Sequence, residues 1–229
     1  MVDNGSLGDP ISEFKKRWGD KIHHYVGLPK NIGYQRGNNE GMKFATGEYI
    51  MPMNPDVTVT EGMFDALIEY MDTHKDVAIT GPQLVYDSGV IQDSYRRFMR
   101  PMDSVIKRLK FLHPIPYFKK RMTSFLLWKV DNTQVQEIDW LVGACMIVRK
   151  SMFDEIGWYD NRFYLFNGDT DICRQFWKKG YKIIYNPKIK AYHKESRLSG
   201  QGLVDFLSKK TGWIHIFDMI KYFIKWGIH

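Results

Sequence analysis

Two cysteines in 229 residues, Cys145 and Cys173, exclude a disulfide scaffold, since neither belongs to a C-x-x-C pair and both sit in apolar segments. Reduced thiols suit a cytosolic compartment. The chain also lacks a long hydrophobic run: a bilayer-spanning helix needs about 20 predominantly apolar residues, and every candidate meets a charge within about ten. Met1-Val2 leads straight into polar Asp3-Asn4-Gly5-Ser6, which is not the opening of a signal peptide. A cytoplasmic protein is expected. Internal repeats and low-complexity tracts are missing too, and 44% apolar with 26% charged residues excludes a disordered or collagen-like chain.

Excess charge is what the sequence does have: 33 Lys and Arg against 26 Asp and Glu, a net charge of +7. It is concentrated where the texture changes, between about residues 88 and 130. Arg96, Arg97, Arg100, Lys107, Arg108, Lys110, Lys119, Lys120 and Arg121 are opposed between residues 96 and 121 only by Asp103. Phe98, Phe111, Tyr117, Phe118 and Phe125 are interleaved with them, a composition that could stack bases. With no nucleic-acid motif alongside, nucleic acid is not an expected partner; a solvated face or an anionic membrane surface is.

Elsewhere short apolar runs alternate with helix-like stretches, which argues for an α/β structure with a largely parallel sheet flanked by helices. Ile22 to Val26, Tyr49 to Met53 and Val77 to Thr80 read as strands, as do Ile138 to Arg149, Tyr181 to Tyr185 and Ile189 to Tyr192. Thr60 reads as the N-cap of a helix from Glu61 to about His74, with Met63, Leu67, Ile68 and Met71 on one face. Further helices are expected over Ser151 to Ile156 and from about Asp171 to Lys179, the latter stopped by Gly180. Leu203 to Ile228 reads as an amphipathic helical tail. Packing on the domain and peripheral contact with a membrane account for the tail equally well.

Four clusters carry chemistry. Asn54-Pro55-Asp56 follows a strand, where a carboxylate can hold a divalent cation against a phosphate, although the triplet is also good turn chemistry. Gly168-Asp169-Thr170-Asp171 opens a helix; Asp171 reads as a cap, while Asp169, just outside on a loop, is placed to act as a general base, with capping the plainer alternative. His193 ends an apolar run and gains meaning only if Asp56 is near, because imidazole plus carboxylate plus phosphate oxygens suits Mn²⁺ or Mg²⁺. The segment from Asn31 to Gly41 is neither a G-x-G-x-x-G fingerprint nor a P-loop. Its glycines serve either close ligand approach or packing.

In order, Val2-Asp3-Asn4-Gly5-Ser6, Asn31-x-Gly33, Asn39-x-Gly41, Asn54-Pro55-Asp56, Trp140-Leu141-Val142-Gly143-Ala144, Gly168-Asp169-Thr170-Asp171 and His193 resemble family 2 glycosyltransferases of the GT-A fold. The branch resembled is the rhamnosyltransferase-like one that builds bacterial surface polysaccharides. The resemblance implies a GT-A domain over residues 1–200 with a basic insertion at about 88–130, followed by a tail over 201–229. It implies that Asp3 contacts the pyrimidine base, with Asn31, Gly33, Asn39 and Asn54 at the nucleotide. Asp56 and His193 would hold Mn or Mg, Asp169 would be the base, and Trp140, Gly143 and Asp171 would line the sugar and acceptor site.

The implied activity is inverting, metal-dependent transfer of a rhamnose-like sugar from a UDP- or dTDP-sugar to a glycan or lipid-linked acceptor, on the inner face of the cell membrane. A catalytically inactive sugar-nucleotide or glycan-binding remnant is the alternative. Two departures from the family bear on the choice. The first βα unit is expected before Val2, so the chain reads as N-terminally truncated, a fragment or a misplaced start. Gly168 stands where an acid usually precedes the base, and its loss is expected to lower the pKa of Asp169.

Overall fold

The computed structural model of the chain describes residues 1–194 and 202–228. The first strand, β1 (Val2–Asp3), is followed by α1 (Pro10–Trp18), where Asp9 caps with Oδ1 accepting from the Ser12 N–H at 3.1 Å and Pro10 opens the helix. β2 (Val26–Gly27) then pairs with β1 in parallel as a small separate ribbon. There follow α2 (Tyr34–Met42), β3 (Tyr49–Ile50), β4 (Val57–Val59), α3 (Met63–Thr73) and the fully buried β5 (Val77–Val85). The basic segment supplies β6 (Tyr95–Arg96), α4 (Asp103–Arg108) and α5 (Pro116–Phe125). Next come β7 (Gln136–Glu137), β8 (Trp140–Leu141), β9 (Ile147–Arg149), α6 (Lys150–Ile156), α7 (Gly168–Lys178), β10 (Lys182–His193), α8 (Leu203–Ser208) and α9 (Lys210–Trp226).

The main sheet runs β3-β9-β5-β10-β4, with β7 also paired to β10. It is mixed, as expected, but less parallel than the alternation suggested: β5 with β10 is its parallel pair, while β3–β9, β5–β9, β10–β4 and β10–β7 are antiparallel. Alternation in sequence registers that helices separate strands; it does not register the direction in which a two- or three-residue strand comes back. β10 also merges the two strands expected over 181–192. Register shifts at Lys182/Ile183 and Asn186/Lys190 keep it paired with β5 and carry His193 to the β4 edge.

Alternation along the strands divides the core between the two sheet faces. Val77, Ile147, Ile184 and Ala191 pack with Met63, Leu67 and Met71 of α3. Ala78, Val148, Ile183 and Tyr185 pack with Phe153 of α6 and Ile172 and Phe176 of α7. Each fully buried Leu or Phe of this kind contributes about 1.5–3 kcal/mol. Both thiols lie within these clusters, free and buried.

Several local expectations change. Thr60 is not the cap of α3: Gly62 is, at φ 70°, and the Thr60 hydroxyl instead donates to the Lys190 carbonyl at 2.7 Å, tying the helix approach to β10. Ile68 turns partly to solvent. The strand expected over 138–149 breaks into β8 and β9, with Gly143 in the turn between them. α7 begins at Gly168 behind a left-handed Asn167 (φ 63°), so Asp169 lies in the first helical turn and not on a loop.

The basic segment and the tail form one helical cluster in which Ile106, Met122, Phe125 and Leu126 bury against Tyr222 of α9. Asp103, buried, receives Arg121 Nε at 2.5 Å, so part of the charge run is neutralised internally. α9 is apolar on both sides. Tyr222 is fully buried, whereas Trp213, Phe217, Ile220 and Ile224 form an exposed stripe, Ile224 at 77%. Among the described residues no helix is long and apolar enough to cross a membrane. The tail boundary expected at residues 200/201 lies outside the described residues.

Candidate active site

Asn54-Pro55-Asp56 is both a turn and a ligand-bearing element. The Val57 N–H donates to the Asn54 carbonyl at 3.2 Å, closing the turn. β4 then runs antiparallel to the end of β10, with Val57 opposite His193. That register brings His193 Nε2 to 3.3 Å from Asp56 Oδ1. His193 is buried, and its Nδ1 lies 2.8 Å from Gln92 Oε1. An amide oxygen accepts only from a protonated Nδ1, and that bond orients the ring with Nε2 toward Asp56.

An imidazole oriented through its other nitrogen, beside a carboxylate, is a donor pair suited to Mn²⁺ or Mg²⁺. Among the described residues no group of three or more His, Cys, Asp or Glu is gathered. The remaining coordination positions would therefore belong to ligand oxygens and water, as is usual where such an ion is shared with a diphosphate.

Asp169 forms the second corner. Its Oδ2 accepts from the Gly143 N–H at 2.9 Å and its Oδ1 from the Thr170 N–H at 2.8 Å. Burial pushes its carboxyl above the usual carboxylate range, against the opposing pull of those two N–H groups and of the Arg96 guanidinium. Burial, the largest of these influences, cannot be read from the local sequence. At Gly168 a Cβ would overlap Gln35 Nε2 and lie 2.5 Å from Gln35 Cγ, so Gln35 of α2 occupies the space in which a side chain at that position would begin.

The two corners meet on one piece of backbone. The Asn54 N–H donates to the Ala144 carbonyl at 2.9 Å, one residue from the Gly143 N–H that holds Asp169. Tyr34 spans the same point: its hydroxyl donates to the Gly143 carbonyl at 3.2 Å. Its pKa is pushed up to about 12, mainly by burial and also by the charges of Asp169 and Asp56. One phenol thus lies within electrostatic reach of both carboxylates. Any side chain at 143 would press on Asp169, its Cβ falling 3.2 Å from the Asp169 Cβ.

Not every expected residue joins them. Asp171, fully buried, neither caps α7 nor faces a substrate: it accepts from Trp226 Nε1 at 2.7 Å and Lys225 Nζ at 2.8 Å, both from α9. Trp140 turns into the core, its N–H donating to the Arg97 carbonyl at 2.9 Å and its ring covered by Arg96 at 5.3 Å. Asn39 ties α2 to the loop after α6, donating to the Tyr159 carbonyl at 2.8 Å and accepting from the Tyr159 N–H at 3.2 Å.

Gly33 (φ 97°) answers the choice between ligand approach and packing in favour of packing: a Cβ there would lie 2.5 Å from the Tyr164 carbonyl oxygen. Asn31 is exposed, and its Oδ1 accepts from the Gly33 N–H at 2.9 Å and from the Tyr164 hydroxyl at 3.1 Å. Asp3 closes the turn to Ser6 through Oδ1 at 3.2 Å, beside the β1–β2 ribbon. Tyr34, Gln35 and Gln92 are additions the sequence did not flag. Their partners lie about 100 or more residues away, and no local pattern announces such contacts.

The profile of glycosyl transferase family 2 matches residues 1–157. The chain belongs to that family. Among curated relatives of this family 2 chain, the N-acetylglucosaminyl-diphospho-decaprenol L-rhamnosyltransferase of Mycobacterium tuberculosis is 24% identical over 174 residues, covering 74% of the chain and 54% of the relative. The rhamnosyltransferase WbbL of Escherichia coli K12 is 23% identical over 211 residues, covering 87% and 74%. The chain spans about half the length of the first curated relatives it matches.

Among solved structures, GalNAc-T7 with UDP, GalNAc and Mn²⁺ superposes with a TM-score of 0.59 at 14% identity, covering 90% of this chain and 40% of that one. The mannosyltransferase PcManGT of Pyrobaculum calidifontis, with GDP-Man and Mn²⁺, gives 0.53 at 15%, covering 84% and 46%. This family 2 chain therefore has the expected GT-A fold. The matched family segment contains Asp56 and Gly143; Asp169 and His193 lie beyond it and reach the site through those two residues.

Proposed function

We propose that this family 2 chain carries the active site of an inverting glycosyltransferase that uses a nucleotide-sugar and a divalent cation. The observation that carries the reading is the convergence on Gly143-Ala144 of Asp169 and of the Asn54-Pro55-Asp56 turn, whose Asp56 faces His193. A cation held by Asp56 and His193 would offset the negative charge that develops on a diphosphate leaving group.

Asp169, ionised, accepts the proton of an acceptor hydroxyl. The hydroxyl oxygen bonds to the anomeric carbon while that carbon's bond to the diphosphate oxygen breaks, from opposite sides, so the configuration inverts. The Gly143 and Thr170 N–H groups fix the carboxylate, and Tyr34 packs behind it. Arg96 is a positive charge close enough to favour the ionised form.

The finer proposal is a rhamnose-like sugar moved from a UDP- or dTDP-sugar to a polysaccharide or lipid-linked acceptor in cell-surface glycan synthesis; of this, the names of relatives support the rhamnosyl group and a lipid-linked acceptor. Exposed Lys209 and Lys210 beside the apolar stripe of α9 support peripheral contact with an anionic membrane surface, where a lipid-linked acceptor would lie.

The test is transfer from a panel of UDP- and dTDP-sugars, with Mn²⁺ or Mg²⁺, to membrane extract. Asp169→Asn is expected to lower transfer about 10²- to 10⁴-fold with nucleotide binding within threefold. Comparable transfer by that variant removes Asp169 from the base role. Nucleotide bound without turnover by the unaltered chain would favour the inactive binding remnant.

A further inference from the structure

Asp218 of α9 is a heavily bonded carboxylate outside the site. It is fully buried, and it accepts from three consecutive backbone N–H groups: Tyr164 at 3.1 Å, Leu165 at 2.9 Å and Phe166 at 3.0 Å. Lys221, one helical turn on, adds a fourth donor at 3.1 Å. His215, one turn earlier, stacks its ring on Phe166 at 4.3 Å and 16°. One helix face thus grips three adjacent residues of a single loop.

That loop connects the two sides of the site. Upstream, the Tyr164 carbonyl accepts from the Tyr34 N–H at 2.6 Å, and the Tyr164 hydroxyl donates to Asn31 Oδ1 at 3.1 Å. Downstream, the chain passes through Asn167, in the left-handed region at φ 63°, and Gly168, and reaches Asp169 three residues after Phe166. A left-handed non-glycine residue persists only where its surroundings fix it. The bonds on the preceding residues are such a fixture.

We infer that Asp218 is a positioning residue for Asp169, holding segment 164–166 so that the start of α7 presents the Asp169 carboxylate to the Gly143 N–H. The tail is then part of the machinery of the site and not an appendage to it. The catalytic consequence rests on the reading of Asp169 as the base; the geometric one does not.

Amide hydrogen exchange on the whole chain, alongside steady-state kinetics, tests this with Asp218→Asn. The variant keeps the shape of the side chain but removes its negative charge and one of its two accepting oxygens, weakening every N–H bond to it and losing those made to Oδ1. The amides of 164–166 and of Gly143 are expected to exchange at least about tenfold faster, with that of Ile79 in β5 unchanged as the global reference. kcat is expected to fall about 10- to 100-fold with the donor KM within threefold, as for a misplaced catalytic group.

Faster exchange at 164–166 with Gly143 unaltered would overturn the inference, as would a loss of activity that tracks Ile79. If Asp218→Asn does not fold, His215→Ala unloads Phe166 and is expected to move Gly143 in the same direction by a smaller factor; no movement would overturn the inference. The Gly143 readout needs no turnover, so failure of the glycosyltransferase reading and failure of this one are distinguishable.

Discussion

Gly168→Ala is a substitution whose effect can be worked from atoms. A Cβ at 168 overlaps Nε2 of Gln35 and lies 2.5 and 2.7 Å from its Cγ and Cδ; Gln35 is only 2% exposed, so it must leave its place. Its Nε2 bond to the Leu165 carbonyl, at 3.3 Å, is lost with it, worth about 1 kcal/mol. Displacement in a packed interior adds about 1–3 kcal/mol. The expected destabilisation is therefore about 2–4 kcal/mol, a melting point lower by about 4–16 °C for a chain of this size.

Gln35→Ala alone should cost less, about 1–2 kcal/mol, because Gln35 Oε1 has no hydrogen-bond partner among the described residues to lose. In that background the new methyl enters vacated space, and Gly168→Ala should be close to neutral. A double-mutant cycle by urea denaturation should thus return a coupling of about 2–4 kcal/mol. An equal cost of Gly168→Ala in both backgrounds, or a variant as stable as the parent, would refute the reasoning. The same cycle with Gly168→Glu tests whether removing Gln35 makes room for an acid directly before Asp169.

Asp169→Asn should lose transfer and flatten the pH dependence of stability. A carboxyl whose folded pKa is raised binds its proton more tightly in the native state, so stability falls as pH rises from the unfolded pKa through the folded one; the amide does not titrate, so this slope should vanish, and a melting-point profile with its slope unchanged would contradict it, whatever constant offset comes from the Gly143 or Thr170 N–H left facing the amide nitrogen. The acid limb of the pH–rate profile should accordingly lie above the ordinary carboxylate range. Gln92→Leu should weaken Mn²⁺-dependent nucleotide binding about 10- to 100-fold, read by titration calorimetry, by freeing the His193 ring. Lys225→Met leaves the buried Asp171 without its cation and should cost about 3–5 kcal/mol in denaturant unfolding.

The parts of the site legible in sequence were those whose chemistry is compressed into a few neighbouring residues. Asp56 after a strand, His193 at a strand end and Asp169 at a helix start each announce a role, and β4–β10 pairing brings the first two together. Asp171 and Trp140 were misplaced for one reason. Proximity in sequence to a site residue was read as proximity to substrate, whereas one helical turn directs Asp171 at α9 and one strand residue turns Trp140 inward. Thr60 lost its cap role to a contact 130 residues away. Asp218 and Gln35 had no signal at all, being an acid in an amphipathic helix and a glutamine between Tyr34 and Arg36.

The burial of both cysteines has a practical side. Burial pushes the Cys145 thiol up to about 11, and Cys173 higher still, so almost no thiolate is present at neutral pH and neither sulfur is open to attack. Thiol-directed reagents should therefore leave both native cysteines unmarked. A single cysteine introduced at an exposed position such as Ile224 would be the sole reactive thiol, and a polarity-sensitive dye there would report directly on what the outer face of α9 meets.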